Sequence, residues 1–184
     1  LGANLGDRHA TFDRALELMP GVVCAISPRY ETAPVGPPQP SFLNAAVRLR
    51  TTLAPLDLLD ALLVIERTLG RDRTQETRWG PRTLDLDVLL WPGRALTEPR
   101  LHVPHPRLGE RAFALAPLLD VLAREHVAAR ATFEEQLAAA GGRPPLAVAP
   151  SGHTAWEGPC SEVVERANAG YPDAPGNSGA IAKN

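Results

Sequence analysis

An α+β fold, with helices packed on an antiparallel sheet, is predicted from three features of the sequence. Apolar residues at helical spacing and apolar residues in strict alternation take turns along the first half of the chain. Proline and glycine punctuate most of the changes between them. Hydrophobic residues make up 44% of the 184 positions, enough to bury one core in a single domain with a modest extension. The net charge of −2 conceals a local contrast, because Arg71, Arg73, Arg78 and Arg82 cluster in an otherwise balanced or acidic chain. Such a patch marks a site and argues against a broad nucleic-acid surface. Cys24 and Cys160 are too few and too far apart for a disulfide framework or a zinc site, and Cys24 is expected as a core thiol. No apolar run approaches the ~18 residues of a membrane span, and no basic and apolar leader opens the chain, so a cytoplasmic location is expected.

Leu1 is not an initiator methionine and opens a glycine-containing turn of the kind that follows a strand, so one strand is expected upstream of it. From Asp7 to Met19, the residues Phe12, Leu16 and Met19 recur at helical spacing until Pro20-Gly21 stops the pattern. Val22 to Ser27 reads as a strand. The prolines of Ala33 to Pro40 cannot join a central ladder, which makes this a long and functional loop. Phe42 to Thr51 alternates, with Leu43, Ala45, Val47 and Leu49 on one face and Phe42, Asn44, Ala46, Arg48 and Arg50 on the other. Pro55 starts a helix whose stripe is Leu58, Leu62, Ile65 and Leu69, capped by Gly70. Thr83 to Trp91 is an apolar strand ended by Pro92-Gly93, and a further strand is expected near Arg100 to Val103. Pro117 makes Phe113 to Leu122 a short or kinked helix, and Thr132 with Glu135 forms a capping box for a last one carrying Phe133 and Leu137. The domain is set at 1–140, and 141–184, rich in Gly, Pro and Ala, is expected to be a largely disordered extension. Helix, strand, strand, helix, strand, with one strand missing before Leu1, makes a ferredoxin-like βαββαβ unit.

Chemistry concentrates between Arg71 and Asp87. On a strand, Asp85 and Asp87 share one face while Leu84, Leu86 and Val88 take the other. Parallel carboxylates at that spacing repel unless something positive lies between them. A hard divalent cation such as Mg²⁺, which takes oxygen ligands and shares them with phosphates, is the common remedy. The arginine forks before them match phosphate oxygens, so the segment reads as a site for a metal-bound polyphosphate. A structural carboxylate pair satisfied by those arginines is the alternative. Trp79 places a large ring in a Gly/Pro loop, where it has little reason to be unless it covers something. Phe42 and Asn44 present a flat ring and an amide on one strand face, suited to a heterocycle. His105, between two prolines, is held rigidly enough to meet a phosphate.

The run Arg78-Trp79-Gly80-Pro81-Arg82-Thr83-Leu84-Asp85-Leu86-Asp87-Val88-Leu89-Leu90 resembles the signature of the 6-hydroxymethyl-7,8-dihydropterin pyrophosphokinase family of folate biosynthesis. Further blocks in the family's order are Leu1-Gly2-Ala3-Asn4-Leu5-Gly6-Asp7, Tyr30-Glu31-Thr32-Ala33-Pro34-Val35-Gly36, Phe42-Leu43-Asn44-Ala45-Ala46-Val47, and Val103-Pro104-His105-Pro106-Arg107 with Glu110-Arg111-Ala112-Phe113. Together they cover the chain to about residue 140. The resemblance implies the same ferredoxin-like fold and Mg²⁺-dependent transfer of diphosphate from ATP to the pterin alcohol, giving pterin diphosphate and AMP. It implies that Asp85 and Asp87 hold two Mg²⁺ ions and that Arg71 and Arg82 are catalytic. Glu66, Arg73, Trp79, Arg82, Val88, Arg100, His105 and Arg111 would meet ATP, and Thr32, Val35, Phe42, Asn44, Trp79 and Phe113 the pterin. No nucleic acid or membrane is implied as a partner; a monomer is, open to fusion or association with other folate-pathway enzymes. The chain departs from the family's pattern at Leu63, where a glutamine faces the nucleotide, at Phe42, where tyrosine is frequent, at Ala33, where proline is frequent, and at His102, where threonine stands. The spacing from Arg73 to Arg78 is also one residue longer. Two rival readings use the same residues: a non-catalytic nucleotide or pterin binder, and a metal-dependent phosphoesterase.

Overall fold

The apolar faces of two helices and one sheet meet in the main core. In the computed structural model, residues 1–147 are described apart from Gln75, Arg78 and Glu125, together with the backbone of Trp156–Glu157. Helix α1 (Arg8–Glu17) starts where the Asp7 carboxylate accepts the Ala10 N–H at 3.0 Å, and it buries Phe12 and Ala15. Helix α2 (Pro55–Thr68) opens on a proline preset for the first turn and lays down Leu58, Leu62 and Ile65. It ends at Gly70, whose φ of +90° reverses the chain. These side chains close on Ala3, Leu43, Leu84 and Leu86.

Strand β1 (Gly2–Ala3) is antiparallel to β4 (Phe42–Asn44), with Gly2 opposite Asn44 and Ala3 opposite Leu43. Strand β4 pairs in turn with β3 (Tyr30–Thr32), Phe42 lying opposite Thr32. On its other side, Gly2 exchanges backbone hydrogen bonds with Asp85 at 2.9 and 2.7 Å. The order across the sheet is therefore the Asp85 stretch, β1, β4, β3, so Gly2–Ala3 holds the central position expected for a strand upstream of Leu1.

The strand expected from Phe42 to Thr51 is divided. Strand β5 (Val47–Arg50) pairs with β2 (Val22–Ile26) in a second sheet. The break falls at Ser27-Pro28, where proline has no N–H to donate and the Ser27 hydroxyl accepts the Ala46 N–H at 2.9 Å. Asn44, Ala45 and Ala46 are consequently all buried, which alternation does not allow. The strand expected from Thr83 to Trp91 reduces to the bridge at Asp85. Before it the Arg82 carbonyl accepts the Asn4 N–H at 3.0 Å, and beyond it the Leu89 carbonyl is taken by the His105 N–H at 2.9 Å.

A hairpin of β6 (Leu96–Glu98) and β7 (Leu101–Val103) includes the strand expected near Arg100 and adds one that was not. After a 3₁₀ turn at Leu108–Glu110, α3 (Ala112–Val121) carries Pro117 in its interior, as a short helix can. Helix α4 (Val127–Ala139) starts ahead of Thr132, whose hydroxyl donates to the Ala128 carbonyl at 3.2 Å instead of capping, so the capping box is corrected. These elements pack around Tyr30, Leu108, Leu115, Leu119 and Leu137.

Contacts continue past residue 140. Glu31 N–H donates to Pro145 and Ala147 N–H to Arg29, at 3.0 and 2.8 Å, along the outer edge of β3. Strand β8 (Trp156–Glu157) pairs with β2, and the rest of the expected disordered extension lies outside the described residues. Cys24 is buried but disulfide-bonded, which corrects the expected core thiol. Among the described residues no helix is long and apolar enough to cross a membrane.

Tyr30 ties β3 to this closing segment. Its hydroxyl donates to Asp120 at 2.6 Å and accepts from Arg143 at 2.8 Å. Burial, then the bond to Asp120, pushes the phenol up to about 12. The neutral phenol is the form that the fold favours. Its contribution is therefore complete below the unfolded value of about 10 and is lost as pH rises towards about 12. Tyr30→Phe is expected to lower stability by about 1 kcal/mol near neutral pH and to flatten the decline between those two values; urea midpoints across the alkaline range measure both.

Candidate active site

The last turn of α2 points a carboxylate into the core. Glu66 follows Leu62 by one helical turn, so it shares the buried face and is only 1% exposed. An isolated charge there would cost several kcal/mol, and its oxygens are fully engaged instead. They accept from Arg71 Nη1 at 2.8 Å, Arg73 Nη2 at 2.7 Å and the Leu86 N–H at 2.8 Å. Because Gly70 turns the chain back, the Arg71 N–H also reaches the Glu66 carbonyl at 2.9 Å.

Arg71 is 6% exposed and holds three carboxylates. Nε and Nη2 form a fork on Glu76 at 2.8 and 2.9 Å, while Nη1 is shared between Glu66 and Asp85, the latter at 2.6 Å. Burial works to lower the Arg71 pKa, but Glu76 and Asp85 outweigh it and raise it above the ordinary guanidinium value. Arg82 Nη1 takes the second Asp85 oxygen at 3.0 Å, and its guanidinium lies 6.0 Å from the Phe42 ring centre. Arg82 Nε is buried with no hydrogen-bond partner among the described residues.

The two aspartates differ in environment. Burial pushes the Asp85 carboxyl up, yet Arg82 and Arg71 hold it below the usual range. Asp87 has no such fork; desolvation, then the Asp85 charge beside it, pushes its carboxyl up, against the opposing charges of His105 and Arg111. Burial also lowers the pKa of His105, and burial followed by the Arg107 charge lowers that of Arg111. Among the described residues no group of three or more His, Cys, Asp or Glu side chains is arranged to hold a metal. Asp85 and Asp87 nevertheless suit a hard cation that takes few protein oxygens and completes its shell with phosphate and water. The raised Asp87 carboxyl is the unbalanced charge that such a cation would relieve.

Beside this charged cluster lies an amide-and-ring surface. Asn44 is buried and donates from Nδ2 to Thr32 Oγ1 at 2.8 Å, across the β3–β4 pairing that also sets Phe42 opposite Thr32. Trp79 is the one non-glycine with positive φ among the described residues, at +64°, and the Arg107 guanidinium lies 5.0 Å from its ring centre. Arg111 stands 5.7 Å from the Phe113 ring centre. Val35 is exposed on the proline loop, and Val88 packs against the main core. Arg100 does not join the cluster through its hydrogen bonds; it pairs with Asp60 of α2 at an exposed position. Arg78 lies outside the described residues. Sequence reasoning did not single out Glu76, which holds Arg71 within its own loop, or Asn4 and Gln39, which support this site through partners in other segments.

A family model described as 7,8-dihydro-6-hydroxymethylpterin-pyrophosphokinase matches residues 1–123. A 2-amino-4-hydroxy-6-hydroxymethyldihydropteridine pyrophosphokinase of Bacillus subtilis is 46% identical over 126 residues, 66% of this chain and 74% of that protein. Its counterpart from Pseudomonas aeruginosa is 49% identical over 126 residues, 66% of this chain and 76% of that protein. A mitochondrial folate synthesis bifunctional protein of Arabidopsis thaliana is also 49% identical over 126 residues, 66% of this chain, but the match takes up only 22% of it.

Glu66→Ala would leave a hole beside Arg71, which keeps Glu76 and Asp85, and take the acceptor from Arg73 and the Leu86 N–H. A loss of about 3 kcal/mol or more is expected in urea unfolding, against little change for Arg100→Ala at the surface.

Proposed function

This chain belongs to the 7,8-dihydro-6-hydroxymethylpterin-pyrophosphokinase family, and from that premise we propose how its residues divide the transfer of diphosphate from ATP to the pterin alcohol. The hydroxymethyl oxygen attacks the β-phosphorus of ATP, the bond from that phosphorus to the α,β-bridging oxygen breaks, and AMP leaves. The hydroxyl proton passes to solvent. No covalent enzyme intermediate is needed, and catalysis rests on positioning and charge.

The observation that carries this reading is the placement of the Arg71–Asp85–Arg82 cluster and the Asn44–Thr32 amide surface on either side of β1 in one sheet. Arg82 offers its unpartnered Nε to a phosphate oxygen. Arg73, Trp79, Val88, His105 and Arg111 would face the nucleotide, and Arg100 would reach it only on leaving Asp60. We read Glu66 as the group that fixes Arg71, which in turn aims Asp85. Thr32, Val35, Phe42, Asn44, Trp79 and Phe113 receive the pterin, Asn44 pairing with its polar edge and Phe42 supplying a stacking face. Asp85 and Asp87 would hold two Mg²⁺ ions, which when bound supply neutralising charge to the triphosphate. The strand order from the Asp85 stretch through β1 and β4 to β3 supports the ferredoxin-like arrangement, and we take the acting unit to be a monomer.

AMP release should depend on both ATP and 6-hydroxymethyl-7,8-dihydropterin, stop on chelation of divalent ions, and fall by about a hundredfold or more in Asp87→Asn. Chromatographic assay of AMP decides this. ATP breakdown that ignores the pterin would point to a phosphoesterase instead, and binding of both ligands with no AMP to a non-catalytic binder.

A further inference from the structure

Two loops on opposite sides of the reaction meet through a pair of side-chain amides that neither the charged cluster nor the ring surface requires. Asn4 follows β1 and is 3% exposed. Its Oδ1 accepts the Arg82 N–H at 2.7 Å, and its own N–H donates to the Arg82 carbonyl at 3.0 Å, so one residue brackets that arginine's backbone. From the same amide, Nδ2 donates to Gln39 Oε1 at 2.9 Å and to the Pro40 carbonyl at 3.1 Å. Gln39 completes the relay by donating from Nε2 to the Trp79 carbonyl at 2.8 Å.

A second contact runs alongside. Gly36 adopts φ of +119°, and a Cβ there would lie 3.1 Å from Cβ of Trp79, so the two loops touch and a side chain there would crowd Trp79. Trp79 itself holds a backbone conformation that costs a non-glycine residue of order 1 kcal/mol or more and persists only where its surroundings impose it. Gln39, on its carbonyl, is part of what imposes it. The proline loop is thus joined to the arginine loop at three places, and both joined residues of the arginine loop face the reaction: Arg82 grips Asp85, and Trp79 carries the ring assigned to both substrates.

We propose that Asn4 and Gln39 are positioning residues that couple the pterin-side loop to the nucleotide-side loop, so that occupation of one side orders Trp79 and Arg82 for the other. This rests on the family's reaction as assigned above. Neither amide needs to touch a substrate. Their part is to transmit position, because Asn4 cannot hold both Arg82 and Pro40 unless the two loops are in register.

The test uses the full chain with Gln39→Ala and Gln39→Glu, the latter of similar shape but without the donor to Trp79, and Asn4→Asp, which can still accept from Arg82 but cannot donate to Gln39 or Pro40. The affinity for pterin is measured with and without a non-hydrolysable ATP analogue, beside kcat for AMP release, both KM values and the melting midpoint. In the wild type the analogue should tighten pterin binding. In the Gln39 variants that ratio should fall towards one and kcat should drop by about tenfold to a hundredfold, with the affinity for each ligand alone and the melting midpoint little changed. A residue that only props the loop would lower the midpoint and leave the ratio intact. A wild-type ratio of one, or a ratio and kcat unchanged in both Gln39 variants, overturns the coupling while leaving the family's reaction in place. A wild type that makes no pterin-dependent AMP defeats the functional assignment first and this inference with it.

Discussion

Arg71 sits inside the protein with three carboxylates around it, and most of the site's geometry descends from that arrangement. A guanidinium taken out of water needs partners for its fork, and Glu66 needs donors for the same reason. Each is the other's remedy. Their pairing pins the end of α2 to the stretch that carries Asp85, since the second donor to Glu66 Oε1 is the Leu86 N–H. The helix therefore sets where the aspartates stand. Hydrophobic packing of Leu62 and Ile65 alone would orient α2 on the sheet but would leave its position along its own axis less sharply defined.

How much of this could be read beforehand depends on whether the signal is periodic. Helices α1 and α2 were legible because Phe12 and the Leu58, Leu62, Ile65 stripe repeat at the helical period, and both ends of α2 carry their own markers in Pro55 and Gly70. The segments at Val22 and Phe42 were legible as strands, but Tyr30–Thr32 was not, nor the division into two sheets, because the switch at Ser27-Pro28 depends on a hydroxyl finding Ala46 across the pair. The Asp85 stretch looked like a full strand because it is apolar, whereas its backbone partners are two short, separate pieces of chain, β1 and the segment at His105. Helix α4 begins earlier than a local capping pattern suggested, with Phe133 and Leu137 packing on α3 and its neighbours.

Within the site, charge clustering was visible and polar partnership was not. Asp85, Asp87 and the arginines stand out as a dense local run. Asn4 and Gln39 do not, for they are single polar residues in loops and acquire meaning from partners such as Trp79 and Arg82, far away in sequence. Arg100 illustrates the converse: a position matched by resemblance whose side chain is occupied with Asp60. Spatial pairing between loops leaves no trace in spacing, so the residues that hold a site together are the hardest to read from one chain.

Gly2 lies between Asn44 and Asp85, paired to one on each side, and a Cβ on it would come 3.4 Å from Asn44 Oδ1 and 3.9 Å from Asp85 Cβ. It serves as a ruler. Adjacent strands are spaced by about 4.8 Å, so two steps through a residue with no side chain set the backbones at Asn44 and Asp85 roughly 10 Å apart. That interval belongs to the backbone ladder, which no rotamer change in Asn44, Arg82 or Asp85 can lengthen. The two substrates would thus be gauged against each other by peptide hydrogen bonds, and the side chains left to refine only angle and charge.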